Sequence, residues 1–411
     1  MKKLGITIGL CLVMVSSFGQ KKTVTEALRL AKDAAKPNFE EARTKIKSAL
    51  QHPETKDDAK TWFTAGQIEN YQFDKENTKL ILGQQPDEPV MYNALYEVFP
   101  YFLKTYELDQ LPDEKGKIKP KFTKDMKSIT KANLPYYING GAYYYEQSNY
   151  RRAYDFFDQY VNISDSRLMK DGVSANTTAA IDSNYIFANY YAAVAATTFD
   201  HQTAVNAIKR ASKFDFKRND LFQLLFETYK NEDDTVNMEK TLIDALTLFP
   251  NDEFFLIHLA VLYIEAEKND KAINYILTAI KNDPSNNQYY DVAGYIYENG
   301  FNDNAKAEEY YKKAVELNGE SADSNSNLGR IYFNQAVSQL NAALEIADVK
   351  KYNEEREKAK ELFRKALPYY EKAYQINPEP MDYKIALRSI YYNLEIGDKL
   401  EEIIKALGDE E

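Results

Sequence analysis

The sequence predicts an all-α fold, a right-handed solenoid of about eight or nine helix pairs with one extended helical hairpin. Three observations carry this. A 34-residue pattern runs twice between Asn219 and Pro284: Phe222, Leu225, Tyr229, Met238, Leu242, Ala245 and Pro250 are followed by Leu256, Leu259, Tyr263, Ala272, Ile276, Ala279 and Pro284. Each counterpart lies one period away, as in an array whose helix pairs bury their apolar faces only against neighbours. The same register returns on both sides, and hydrophobic residues make up 44% of the chain, enough for a continuous core.

From the start of the chain, Lys2 and Lys3, the apolar run Leu4 to Val15 and the small-x-small triplet Ser17-Phe18-Gly19 follow in the order of a secretory signal peptide. Cleavage is expected after Gly19 or Gln20, which makes 1–20 a leader and the mature protein exported. The run is too short to span a bilayer, and no later stretch reaches the roughly 20 apolar residues required. Cys11, the one cysteine, follows Leu10 where a lipidation box needs Gly or Ala, so the mature chain is expected to be thiol-free and unanchored.

Residues 21–122 read as a degenerate helical region with an insertion. Thr23 to Ala34 is an amphipathic helix, and Asn38 caps another with Ala42, Ile46 and Ala49 on one face. Trp62, Ala65 and Gly66 open the next. Asp74 to Glu88 is a polar stretch with a Gly83 and Pro86 break, followed by a long aromatic helix over Val90 to Leu108, interrupted at Pro100. Asp113 to Lys127 reads as a solvated, linker-like stretch with lysines at 115, 117, 119, 121, 124 and 127; a basic contact for an acidic partner is the sharper alternative.

Residues 123–411 read as the regular array. Tyr137, Gly141, Tyr144, Tyr150, Ala153 and Phe157 restore the register, with Gly140-Gly141 allowing close helix approach. Val161 to Ser174 reads as a long polar connection where function can sit. Ala192, Ala204, Ile208 and Ala211 mark a weaker repeat before the two guide copies. Tyr290, Gly294, Tyr297, Ala307, Tyr311 and Ala314 follow, with an extra residue placed in the turn Asn299 to Asp303. Leu328, Gly329 and Tyr332 open a repeat whose second half (Ala366, Tyr370, Ala373, Pro378) arrives late, so 333–365 is expected to be two lengthened helices projecting roughly 18 Å at 1.5 Å per residue. Leu387 and Tyr391, then Leu400 to Ala406, form a terminal cap ahead of the acidic end Asp409-Glu410-Glu411.

The formal charge is −11, and loss of Lys2 and Lys3 leaves the mature chain near −13. Nucleic acid and anionic membranes are poor partners for that balance. His52, His201 and His258 are isolated, and no nucleophile elbow or phosphate loop occurs, so no catalytic residue, metal site or cofactor is expected. The 33 tyrosines fall largely on repeat positions and read as core; within Tyr143-Tyr144-Tyr145, Tyr190-Tyr191 and Tyr295 with Tyr297, one member must face outward as a binding anchor.

The pattern large-x2-Leu-x3-Tyr, then Ala-x3-large-x2-Ala-x4-Pro, resembles the tetratricopeptide repeat, over about Tyr137 to Pro378 and in decayed form beyond. The family's small residue after the leucine becomes Phe226 in one guide copy and Ala260 in the other. The resemblance implies a concave face, built from the first helices of successive pairs, that holds another protein. Carried over position by position, that face is Ile138, Ala142 and Tyr145; Gln223, Glu227 and Lys230; Phe254, Ile257 and Val261; Asp291, Tyr295 and Glu298; Ser326, Arg330 and Phe333. The Lys and Asn clamp of the chaperone-binding members is missing.

The leader's end and the triplet Asp234-Thr235-Val236, a possible O-glycosylation site, resemble exported envelope proteins of Bacteroidetes. The expected function is thus a non-enzymatic scaffold or adaptor of the periplasm or envelope, with a hydrophobic, neutral to basic protein segment as partner. The alternative is a glycan- or nutrient-binding accessory; the single Trp62 and the lack of a lipid anchor weigh against it.

Overall fold

A computed structural model of the protein describes residues 20–170 and 182–408; residues 1–19, most of the expected leader, with 171–181 and the acidic end 409–411 lie outside them. Among the described residues every regular element is helical. The chain divides into two compact units, Met1–Thr228 and Tyr229–Glu411, each taken separately below.

In the first unit, α1 (20–32) and α2 (Phe39–Gln51) pack through Val24, Ala27, Ala31, Ala42, Ile46 and Ala49 onto Ala65 and Ile68 of α3 (Ala59–Ile81). Alanines at these positions bring the helices close together. Asn38 accepts from the Glu41 N–H at 3.1 Å, and its amide donates to the Glu41 carboxylate at 2.9 Å, a reciprocal cap. Helix α3 takes in the polar residues from Asp74 and ends at Ile81, just before Gly83 and Pro86; Glu69, Gln72, Glu76 and Asn77 are buried along it.

Helix α4 (Glu88–Asp109) is likewise continuous through Pro100, contrary to the expected interruption. The proline leaves the Tyr96 carbonyl without its helical donor. Gln159 of α6 (Tyr150–Asp165) supplies a replacement at 2.9 Å.

Helix α5 (Thr123–Glu146) starts early enough to absorb Lys124 and Lys127, leaving 110–122 as the loop. Gly140 and Gly141 meet Phe156 and Phe157 of α6, and an added Cβ would lie 2.6 and 2.5 Å from those rings. Val161 and Ile163, read from the sequence as part of a polar connection, are buried on α6. The four-residue α7 (Arg167–Lys170) follows, and the rest of that expected connection lies outside the described residues. Helices α8 (Ser183–Ala196) and α9 (His201–Ala211) bury Ala192, Ala204, Ile208 and Ala211, and the unit ends within α10 (Arg218–Lys230).

The second unit continues through α11 (Thr235–Leu248), α12 (Glu253–Glu265), α13 (Asn269–Asn282), α14 (Asn287–Tyr295), α15 (Asn304–Leu317), α16 (Ala322–Leu344), α17 (Val349–Ile376), α18 (Met381–Leu394) and α19 (Gly397–Gly408). Asp234 caps α11, accepting from the Asn237 N–H at 3.1 Å, which accounts structurally for the Asp of the Asp234-Thr235-Val236 triplet. The extra residue of the 290s is taken up inside the helix, by a π turn over Ile296–Gly300, and not in the loop after it. Its Gly300 carbonyl accepts from the Asn269 amide at 2.6 Å. Helices α16 and α17 are the lengthened pair that the late second half required; they turn at 345–348.

Tyrosine recurs for a polar reason as well as an apolar one. Tyr263, Tyr332 and Tyr391 are buried, yet donate to Glu239, Glu308 and Glu371 of the preceding helix at 3.0, 2.8 and 3.0 Å. Lys271, Lys312 and Lys399 close on the same three carboxylates. The ring fills the space between pairs while the hydroxyl ties one pair to the next, which phenylalanine cannot do. Tyr150 and Tyr297, read as core, are only partly buried.

Candidate partner-binding face

Helix α12 is apolar on nearly every side. Phe255, Leu256, Leu259, Ala260, Leu262 and Tyr263 are buried. Phe254, Ile257, His258, Val261 and Ile264 recur at spacings of three and four, the rows of one helical face, and all are partly exposed. The Phe254 ring lies 4.0 Å from the His258 imidazole, and that ring nitrogen Nδ1 donates to the Phe254 carbonyl at 2.8 Å.

The neighbouring first helices, α14 and α16, are polar on the equivalent side. Gln288 donates to Glu253 at 2.9 Å, joining α14 to α12. Asp291 accepts from Ser324 and, at 3.4 Å, from Asn327. Glu298 accepts from Tyr311 at 2.9 Å and is paired with Arg330, which also donates to Asn327 at 3.2 Å.

The electrostatics follow from this packing. Burial pushes the Asp291 carboxyl up to about 6, opposed by the Ser324 and Asn327 donors and reinforced by Asp323 and Glu253. Burial also raises Glu253, with Asp323 adding to the effect. For Arg330, burial opposes the charge, but Glu298 and the Tyr311 oxygen outweigh it and hold the guanidinium more firmly protonated. The Glu298 carboxylate is only 11% exposed, so its charge is spent on Arg330 more than offered to solvent.

The residues expected to line the face separate into groups. Phe254, Ile257 and Val261 share the α12 stripe; Asp291, Tyr295 and Glu298 lie on α14 and its π turn, with Ser326, Arg330 and Phe333 on α16. Phe333 packs edge-on against Phe363 and Tyr370 at 5.8 and 6.1 Å. Gln223 and Lys230 lie on α10, where Gln223 donates to Asn219 at 2.8 Å and Glu227 is partly buried. Tyr145 sits on α5 in the first unit, its ring edge-on to Tyr150 and Tyr191 at 5.1 and 6.2 Å, and Tyr143 packs on Tyr92 at 5.1 Å. The clusters Tyr143-Tyr144-Tyr145 and Tyr190-Tyr191 thus interlock, with Tyr143, Tyr145 and Tyr191 half-buried, and Tyr295 is likewise partly buried.

Sequence reasoning missed Glu253, His258, Gln288, Ser324 and Asn327. A signal existed: Gln288 with Glu253, Asp291 with Ser324 and Arg330 with Glu298 are separated by 35, 33 and 32 residues, each close to one repeat. Pairing polar residues about one period apart would have found all of these but His258, whose partner Phe254 lies on its own helix. Among the described residues, no three His, Cys, Asp or Glu side chains gather into a metal-binding group, and no helix is long and apolar enough to cross a membrane.

Compared with known families, the chain matches the tetratricopeptide repeat over 255–286 and 288–321, which are α12 with α13 and α14 with α15. No curated protein matches it. Among solved structures it is similar to a monomeric mutant of IFIT1 (15% identity, 93% of this chain and 78% of that one, TM-score 0.39). It is also similar to PilW, a type IV pilus biogenesis factor (14% identity, 54% and 91%, TM-score 0.35), and to a thermophilic tetratricopeptide protein of Thermus thermophilus (15% identity, 47% and 91%, TM-score 0.33).

Proposed function

We propose that this array of tetratricopeptide repeats is a non-enzymatic scaffold of the cell envelope that holds a hydrophobic, neutral to basic segment of another protein. Repeats of this type generally serve protein–protein contact. The observation that carries the reading is the partly exposed apolar stripe of α12, Phe254, Ile257 and Val261, with Glu253 at the start of the same helix and Asp291 on α14, which Gln288 joins to it. A stripe of this kind serves as the desolvated centre of an interface, and the nearby negative charge favours a partner of opposite sign. The leader, as read from the sequence, supports the envelope location and a mature start near Gln20.

Cross-linked capture from the native envelope, with the wild type and a Phe254→Ala, Tyr295→Ala double variant, tests the site. A variant that keeps its melting temperature should lose the partner, since truncating an interface anchor typically costs about 2 kcal/mol or more. Equal capture by both proteins counts against the face. Capture of glycans with no protein would turn the assignment to a nutrient-binding accessory.

A further inference from the structure

The first unit contains a cavity of about 840 Å3 between the starts of α1 and α3, the end of α4 and the loop after it. Five lysines line it: Lys21, Lys60, Lys117, Lys119 and Lys121. Its three aspartates are turned to main-chain amides. Asp58 accepts from the Lys60 N–H at 3.1 Å. Asp109 takes the N–H groups of Lys121, Phe122 and Thr123 at 2.9, 2.9 and 3.2 Å. Asp113 takes those of Lys115 and Lys117 at 3.0 and 2.9 Å, and also pairs with the Lys119 ammonium at 3.0 Å.

These contacts explain the loop's form. Two carboxylates fasten its ends, and Pro120 favours an extended Lys119. On an extended chain, alternate residues share a side: Lys117, Lys119 and Lys121 line the cavity, while Ile118 between them is 56% exposed and does not. Among the described residues Lys21, Lys60, Lys117 and Lys121 have no carboxylate partner. In a chain of net charge −11 this is a local reversal of sign. The floor is apolar, with Val24, Leu108, Leu111 and Phe122.

The geometry points to a second binding site, for an extended acidic peptide segment whose alternate carboxylates meet Lys117, Lys119 and Lys121 and whose apolar side chains rest on Leu108 and Leu111. A peptide fits better than an acidic glycan because the floor is mainly aliphatic and the one aromatic ring, Phe122, is stacked on Phe63 at 4.7 Å. This site does not depend on the α12 face, and its partner has the opposite charge.

The test is fluorescence polarisation of the full chain with a fluorescein-labelled octapeptide, Glu-Leu-Glu-Ala-Glu-Leu-Glu-Ala, competed with unlabelled peptide or polygalacturonate. Binding that weakens with salt is expected. The triple variant Lys117→Gln, Lys119→Gln, Lys121→Gln should bind at least tenfold more weakly. The control triple Lys115→Gln, Lys124→Gln, Lys131→Gln removes equal charge outside the cavity and should stay within twofold. Lys21→Gln with Lys60→Gln leaves the loop untouched and should weaken binding should the first triple fail to fold. Absence of peptide binding, equal losses in both triples, or stronger binding of polygalacturonate than of peptide would each overturn the assignment.

Discussion

Gln159 donates its side-chain amide at 2.9 Å to the main-chain carbonyl of Tyr96, the acceptor that Pro100 strips of its helical partner. The two residues are 63 positions apart, and the bond lets α4 carry a proline without breaking. Gln159 is 9% exposed, so water is a poor substitute for the amide. Replacing Gln159 with leucine should destabilise the first unit by about 1–3 kcal/mol, the cost of a buried carbonyl left unpaired. Pro100→Ala restores the helical N–H and should recover most of that loss in the double variant. Urea unfolding of the four proteins of this cycle measures it, and simple additivity would refute the link.

Gly141 should not tolerate alanine. The substitution gains up to about 1 kcal/mol of helix propensity, but the new Cβ would stand 2.5 Å from the Phe157 ring, and overpacking typically costs about 1–3 kcal/mol. A net loss is expected on thermal unfolding. Gly319 provides the contrast: an added Cβ there meets only the Val315 carbonyl at 3.7 Å, and its alanine variant should unfold within about 0.5 kcal/mol of wild type.

Asp291 should make the second unit more stable in mild acid. Its folded carboxyl titrates near 6, raised by burial from the ordinary 3.8, so the folded chain holds a proton that the unfolded chain releases. That contribution is complete below about pH 4 and is lost as pH rises through about 6. A shift of this size corresponds to at most about 3 kcal/mol. Asp291→Asn mimics the protonated form: it should match wild type at pH 4 and exceed it at pH 7.5 in urea unfolding. A difference that stays constant with pH would show that Asp291 is not the group responsible.

Much of the fold was legible because repeat positions report their own burial. Leu225, Tyr229, Leu242, Leu256, Tyr263 and Ile276 are all buried, as their spacing requires, since each pair covers its neighbour in the same way. The irregular features were harder to read. Pro100 looked like an interruption because a proline removes a helical N–H, and the Asp74 to Ile81 stretch looked merely polar, although Glu76 and Asn77 are buried along it. Yet Gln159 satisfies the freed carbonyl, and Glu76, 5% exposed, accepts from both Lys79 and the Asp87 N–H at 2.7 and 2.9 Å. Such donors lie beyond the reach of a local pattern.

The candidate face divides in the same way. Its apolar members, Phe254, Ile257 and Val261, could be placed from period alone. The engagement of Asp291 and Glu298 shows only when polar residues one period apart are paired, because a carboxylate taken alone on its helix reads identically whether it faces solvent or an arginine 32 residues on. The sequence by itself determined the helical class, the period, the lengthened pair at 333–365 and the apolar positions, all set by spacing along one chain. Only the tertiary structure decided which polar groups are spent between neighbouring helices, how the extra residue near Gly300 enters a π turn, and where lysines gather around a cavity. Those outcomes depend on distances between residues that the sequence keeps far apart.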